Sequence, residues 1–417
     1  MGEQVSHPTS RAPGLVASVA IALAAACATF AFAALLLWRS GARTLAALDF
    51  NAALFEDFLG PYWATAHNLL TASQEPAAGY LYPSTLAWLL APIAWLGAWL
   101  DARLGGGSMA ASWAAVAFVL GSLAVLIASV FSMLRPQSLW IAAAAGAVFG
   151  LAHAPIHGGY WAQASLPAIA GLAAGLALFQ KDRPVLGGAA IGFAGALKLH
   201  PLIGVVALVV PRRGSGRSTV GAVTAAISWC LFTVGLPWVA MGSDAFLRFH
   251  RAVFERLGAM NAWVMTKEGG RGSQDLPAIL GRAVPLDSHL ARKAVGWTIG
   301  VFLVWLAVRA LRSRESGTPR MLAAFVFLAA VPWAAVSPTW PHGLLWVPAA
   351  WWIAANSSSR VSGWLAAASF AAGSIVALRA LGTPEAYAWY GLPAWSAFLA
   401  VASAAAAVFD RSLAPRD

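Results

Sequence analysis

The sequence predicts an all-α polytopic membrane protein, a bundle of about 11 to 13 transmembrane helices, and three observations carry that prediction. Hydrophobic residues make up 60% of the 417 residues and charged residues 10%, with a mean hydropathy of +0.70. A soluble fold carries about a quarter charged residues, so this chain has too few to cover a wet surface. Apolar runs of bilayer-spanning length recur from residue 14 to residue 409. The 27 Lys and Arg against 16 Asp and Glu give a net charge of +11, but the basic residues cluster in short connectors between apolar runs. That is the pattern of membrane orientation, not of nucleic-acid binding.

The first run, 14–38, is too long for a signal peptide and lacks a cleavage site, so it reads as a retained helix. Further helices are expected at 109–134, 138–155, 165–179, 217–241, 293–310, 321–336, 343–356, 361–378 and 393–409. The 27-residue apolar stretch 185–211 carries Lys198-Leu199-His200-Pro201 in its middle and lies between two basic clusters, Lys181-Asp182-Arg183 and Arg212-Arg213. With both clusters cytoplasmic, the chain must cross and return between them. Two short helices, 185–197 and 201–211, then meet at a turn on the far side that holds Lys198 and His200. Pro201 supports the break, because the residue before a proline avoids helical geometry.

The same alternation leaves 156–164, 242–292, 337–342 and 379–392 outside and Arg135 inside. It also requires 81–100 to be an entering segment broken at Pro92 instead of a full span. No 20–50-residue repeat is present. Residues 1–417 therefore form one transmembrane domain with two large outer loops, 39–80 and 242–292. Within the first, Ala46 to Leu70 alternates polar and apolar positions as an interfacial helix does.

Ionisable groups near a bilayer are expensive, so those gathered on one face are candidates for function. The first loop holds Asp49, Glu56, Asp57, His67 and Glu75. The same face receives His157, Gln163, Lys198, His200, Gln274, Asp275, Arg282, His289 and His342. The expectation is an outward-facing polar site roofed by loops. A single loop acid is ordinarily just solvated, and a lysine near a helix end ordinarily snorkels to the interface. Lys198 is too central in its apolar stretch to reach the cytoplasm that way. His153 and His157 are four apart, but Pro155 intervenes and no third ligand is evident, so no metal is expected. The 21 tryptophans read as interfacial anchors, and Cys27 and Cys230, both in apolar runs, suggest neither a disulfide nor a metal site.

The order of motifs is similar to that of the glycosyltransferase family 87 proteins, membrane enzymes of the GT-C superfamily. Asp57-Phe58-Leu59-Gly60-Pro61-Tyr62-Trp63, followed by Tyr80-Leu81-Tyr82-Pro83-Ser84, resembles that family's first loop. Gln163 with Ser165 resembles its Gly-Gln-x-Asn. Gly188 to Pro201, with Ala196-Leu197-Lys198, resembles its Gly-rich helix ending in Ile-Lys-x-x-Pro. Ser273-Gln274-Asp275-Leu276 with Arg282 resembles Asn-Gln-Ser-Leu with a following Arg, and Ser337-Pro338-Thr339-Trp340-Pro341-His342 resembles Ser-Pro-x-Ser-Trp-x-His. Ser84, Ala162 and Ser273 depart from the family pattern.

The resemblance implies a GT-C-like bundle in a bacterial cytoplasmic membrane with its active site facing the periplasm. It implies transfer of a sugar, commonly mannose, from a polyprenyl-phosphate donor to the hydroxyl of a glycolipid or glycan acceptor, with inversion. A loop carboxylate would be the general base: Asp57, favoured by its distance to Tyr82-Pro83, or Asp49. Lys198 and Arg282 would stabilise the leaving phosphate, with His200, His342, His157, Gln163 and Gln274 binding phosphate or sugar, and His67 and Tyr82 contributed by the loop. No cofactor and no metal are expected, and the partners are the lipid-linked sugar, the acceptor and membrane lipids, not nucleic acid. With no Asp-x-Asp and no Gly-rich phosphate loop, no nucleotide-sugar site is expected. The alternatives are an arabinofuranosyl or other pentosyl transferase of the same superfamily, or a lipid-linked sugar transporter or flippase. A transporter should carry internal repeats and ionisable residues at the bilayer midplane.

Overall fold

A computed structural model describes residues 13–39, 54–71, 74–104, 109–134, 136, 138–210, 215–264, 273–283, 289–313, 320–336, 339–375, 377 and 390–409. These residues form helices joined by short turns, with no β-strand among them beyond one isolated bridge between Ala152 and Ser374. The chain is an all-α polytopic membrane protein. In order the helices are α1 Leu15–Arg39, α2 Trp63–Leu69, α3 Ser84–Leu104, α4 Met109–Met133, α5 Leu139–Leu151, α6 His153–Trp161, α7 Ser165–Gln180, α8 Pro184–Leu197 and α9 Val205–Val209. Then follow α10 Ser215–Cys230, α11 Leu236–Met241, α12 Ser243–Val264, α13 Leu276–Ala283, α14 His289–Arg312, α15 Arg320–Ala335, α16 Val347–Ala355, α17 Arg360–Gly373 and α18 Leu392–Phe409.

Among the described residues six helical stretches are long and apolar enough to cross a membrane: Leu15–Phe32, Ser84–Arg103, Met109–Met133, Gly216–Met241, Leu290–Arg312 and Leu392–Phe409. Five other apolar helices run only 10–17 residues. Several expected spans are therefore short helices packed inside the bundle. The core they build is centred on α15, where Met321 to Ala330 is buried without interruption. A helix apolar all round belongs in such a place.

Close helix packing is set by small residues four apart. A Cβ on Gly146 would lie 2.0 Å from the Ala22 carbonyl oxygen, and one on Gly150 2.4 Å from that of Ala26. The shared increment means that α1 and α5 run parallel. Gly188 and Gly192 of α8 meet the carbonyls of Gly221 and Ala225 in the same way, at 2.1 and 2.2 Å, so α8 and α10 are parallel too. In a membrane, where apolar side chains gain nothing by leaving lipid, such close backbone approach drives association. The last long helices, α17 and α18, use hydroxyls instead. Ser362 and Ser403 each donate to the other's carbonyl (2.9 and 2.8 Å), as do Ser369 and Ser396 (2.7 Å each), and Trp351 Nε1 donates to Ser369 Oγ.

Two expectations are corrected. The run 138–155 is not one helix: α5 ends at Ala152, whose extended backbone (φ −74°, ψ 133°) starts α6 afresh. Pro155, lacking an N–H, cannot donate to Leu151 and so falls in the first turn of a new helix. Pro92, by contrast, does not break its segment, and α3 runs unbroken from Ser84 to Leu104. A proline costs one backbone bond, which a long apolar helix tolerates. Ser84–Arg103 is long and apolar enough to cross a membrane, so the expectation of an entering segment is corrected with it. Thr85 Oγ1 donates to the Phe232 carbonyl (2.8 Å), while a Cβ on Gly97 would lie 3.0 Å from the Trp63 ring and 3.1 Å from Ala110. The outer stretch 242–292 holds more than loop, since Ser243–Val264 is a 22-residue helix.

Candidate active site

Asp57 is placed by an unusual turn. Phe55 adopts a left-handed backbone (φ 63°), rare for so bulky a residue. Its N–H donates to the Tyr160 carbonyl at 2.8 Å, and its own carbonyl accepts from the N–H of Phe58 and Leu59. Pro61 has no N–H to give the preceding turn, and Phe58–Tyr62 widens there into a π-helical turn. The Phe58 ring is fully buried against Phe118, 5.2 Å between centroids, and fixes the turn. Asp57 is left half-buried at its start. Burial raises its carboxyl from the usual 3.8 to about 7; adjacent Glu56 pushes the same way, and the Lys198 ammonium opposes both. Among the described residues the Asp57 carboxylate has no hydrogen-bond partner.

Tyr62 and Tyr82 converge on Gln163. Their hydroxyls donate to Gln163 Oε1 at 3.4 and 3.1 Å, and Ala164 N–H donates to the Tyr62 oxygen at 3.3 Å. The two rings meet edge to face, 5.2 Å apart. Lys198 lies where the sequence predicts it, at the break between α8 and the turn His200–Gly204, in extended backbone (φ −156°, ψ 128°). Its ammonium donates to Ser165 Oγ at 2.7 Å and lies 5.7 Å from the centre of the Tyr82 ring. Ser165 opens α7 and is fully buried. His342, in the turn Pro341–Leu344, stacks on His157 with centroids 5.4 Å apart, and His153 follows at 5.7 Å. Burial holds the His342 imidazole well below its usual pKa, and the Lys198 ammonium pushes the same way. His157 and His342 are buried with no hydrogen-bond partner for Nδ1. No group of three His, Cys, Asp or Glu among the described residues could hold a metal ion.

A second polar cluster adjoins the first through Thr339. Asp275 is fully buried; it accepts from Ser273 Oγ and, at 2.8 Å, from Ala278 N–H, which caps α13. Thr339 N–H approaches Ser273 Oγ and Asp275 Oδ2, and Gln274 N–H donates to the Thr339 carbonyl at 2.6 Å. Arg282 donates to the Ser273 carbonyl at 2.8 Å. Gln274 and Arg282 thus belong to this knot. His67 is exposed on α2, and Asp49 lies outside the described residues.

Sequence reasoning missed Tyr62 and Arg256. Arg256, on α12, donates to the carbonyls of Ala77 and Pro76 at 2.5 and 3.0 Å, while Phe249 of the same helix packs edge-on against Tyr80, 5.8 Å between centroids. The signal available was the amphipathic pattern of 243–264, whose inner face carries Phe249 and Val253.

A helical membrane bundle that gathers a carboxylate, an ammonium and aromatic hydroxyls at its loop-bearing end has the form of a membrane-embedded transferase. The model of glycosyltransferase family 87 matches residues 80–338, more than half of the chain, and the chain belongs to that family: it is a membrane glycosyltransferase. No curated protein and no solved structure matches it. The match contains Tyr82, Gln163 and Lys198; Asp57 precedes it and His342 follows it.

Proposed function

We propose that the enzyme transfers a sugar, mannose in the leading reading, from a polyprenyl-phosphate donor to an acceptor hydroxyl with inversion, at the outer face of a bacterial cytoplasmic membrane. The observation that supports this reading is the arrangement of Lys198, bonded to Ser165 and beside the Tyr82 ring that shares Gln163 with Tyr62, at the end of the π-helical turn that Asp57 opens. Asp57 takes the proton from the acceptor hydroxyl as its oxygen attacks the anomeric carbon. A base that titrates near 7 suits the task, being ionised at working pH yet strong enough to accept the proton. Lys198 releases Ser165 and binds the phosphate that departs with the lipid, where a fixed cation stabilises the developing charge. Tyr62 and Tyr82, held by Gln163, offer a flat aromatic wall to the sugar, and His342 and His157 offer ring nitrogens to its hydroxyls.

The test uses purified protein in nanodiscs with radiolabelled polyprenyl-phosphate-mannose and a bacterial lipid extract. Label should enter a new product with wild type and not with Asp57→Asn. Transfer that persists in Asp57→Asn and is lost in Asp49→Asn moves the base to Asp49. Labelled pentose entering product in place of mannose replaces the sugar.

A further inference from the structure

The inward face of α12 carries two anchors. Phe249 and Arg256 are seven residues apart, about two helical turns, and so lie on the same side of the helix. Phe249 is buried and packs edge-on against the fully buried ring of Tyr80, 5.8 Å between centroids. Arg256 donates from Nη1 to the Ala77 carbonyl at 2.5 Å and from Nη2 to the Pro76 carbonyl at 3.0 Å. The opposite side of α12 exposes Leu247 and Phe254.

The segment these anchors hold, 74–83, is not helical and turns through left-handed backbone at Gln74 and Gly79 (φ 43° and 79°). A backbone without its own ladder of hydrogen bonds must be held by its neighbours. From α2, Asn68 donates to the Glu75 carbonyl (3.2 Å), and Thr65 Oγ1 accepts from Ala77 N–H (2.9 Å). From α12, the planar guanidinium of Arg256 spans two consecutive carbonyls, a task that suits its rigid fork of donors.

Tyr80 passes that constraint to the site. Its hydroxyl donates to the Pro83 carbonyl at 2.7 Å, closing the turn that enters α3. Its ring meets those of Tyr82 and Tyr62 edge to face, at 5.9 and 6.2 Å. Tyr82 is the ring that lies 5.7 Å from the Lys198 ammonium and shares Gln163 with Tyr62. One side chain therefore separates Phe249 from Tyr82. In a close-packed cluster a displaced ring displaces its neighbours.

We propose that Arg256 and Phe249 are positioning residues of the transferase. Arg256 acts through Pro76-Ala77 and Phe249 through Tyr80, and together they fix the Tyr82 ring where it faces the donor sugar beside Lys198. This rests on the reading of Tyr62 and Tyr82 as the aromatic wall of the sugar site. Neither anchor touches substrate. The helix of the second outer loop is thereby part of the frame of a site to which it contributes no reacting group.

The test reads ring position and kinetics separately, on the full chain in nanodiscs. The protein is labelled with 3-fluorotyrosine, and the Tyr82 fluorine resonance is the one that Tyr82→Phe removes. With no donor present, Arg256→Met and Phe249→Leu should each shift or broaden that resonance. Arg256→Lys should restore most of the wild-type position, and Leu247→Ala, on the outward side of α12, should leave it unchanged. With radiolabelled polyprenyl-phosphate-mannose and the lipid extract, Arg256→Met should raise KM for the donor about tenfold with kcat within about twofold, because it loosens a binding surface and removes no reacting group. In a Tyr82→Leu background the same substitution should raise KM no further, as for two residues that act through one ring.

An unmoved Tyr82 resonance in both α12 variants would overturn the proposal. So would a lower kcat at unchanged KM in Arg256→Met, the mark of lost folded enzyme, where Tyr82→Leu does raise KM. A resonance that moves while Tyr82→Leu keeps the wild-type KM would overturn the sugar-wall reading, and with it the part of α12 in catalysis, while the clamp on the ring stands. The two readings therefore fail separately.

Discussion

The two polar clusters at the loop-bearing end are neighbours, joined by the residues from Thr339 to His342, yet their ionisable groups are treated in opposite ways. In the knot, Asp275 has both carboxylate oxygens occupied, by Ser273 and by the capped N–H of Ala278, and Arg282 ties down the Ser273 carbonyl. In the other cluster, among the described residues, half-buried Asp57 has no hydrogen bond and Lys198 bonds only a serine hydroxyl. A buried charge normally acquires partners or neutralises. Full satisfaction marks a group that holds loops together, and a withheld partner marks one kept ready for a substrate.

Substitutions sharpen that contrast. Asp57→Asn should lower the rate of transfer by about 10³-fold, within the range for loss of a general base, with thermal stability unchanged or raised. A similar loss accompanied by a collapse in melting temperature would make Asp57 structural. Lys198→Met should cost about 10²-fold, with much of it recovered by Lys198→Arg, as for a cation that stabilises a leaving group. Equal loss in both variants would mean that the ammonium's hydrogen bond to Ser165, not its charge, matters.

Asp275→Ala should act the other way. Removing the acceptor strands buried donors and should destabilise the protein by about 1.5–3 kcal/mol, read as a fall in melting temperature, while the surviving folded fraction keeps its KM for donor. A changed KM at full stability would move the knot into the binding site. Smaller again is the pH effect in wild type. Because burial raises Asp57 to about 7, kcat/KM should fall roughly tenfold per unit as pH drops below that value. A profile flat down to about pH 4, the unperturbed Asp range, would show that the titrating base is another group. The sign for stability is opposite. The fold favours neutral Asp57, so this residue's contribution is fully present below 3.8 and is lost as pH rises through 7. Activity requires the form that the fold disfavours.

Much of this was legible from residues alone. Lys198 and Pro201 in the middle of an apolar run called for a break, and the helix does end at Leu197, because a charge that cannot snorkel must be placed where the chain reverses. A first-loop acid was visible too, although the choice between Asp57 and Asp49 was not. What composition could not reveal was the division between the two clusters. Gln274 and Arg282 look like Gln163 and Lys198 in sequence, and only three-dimensional partners show that Arg282 already serves the Ser273 carbonyl. The break at Ala152 was hidden for a different reason. Alanine is a helix former, and its extended backbone comes from Pro155 downstream, which hydropathy counts as one more apolar position. Arg256 went unnoticed because its partners are backbone carbonyls of another loop, which leave no mark in the side chains.

The reciprocal serine bonds between α17 and α18 bear on how the chain comes to be assembled. A lone helix in hydrocarbon must satisfy its own polar groups, and a serine hydroxyl then bonds back to its own backbone. Here Ser362 and Ser369 exchange that local bond for one with Ser403 and Ser396, two turns apart on each helix and all within the last quarter of the chain. The final hairpin thus carries its adhesive with it. Its register is set by its own sequence, so α17 and α18 can pair as they emerge into the bilayer, before the rest of the bundle receives them, and Trp351, through Ser369, becomes the point at which the finished hairpin is accepted.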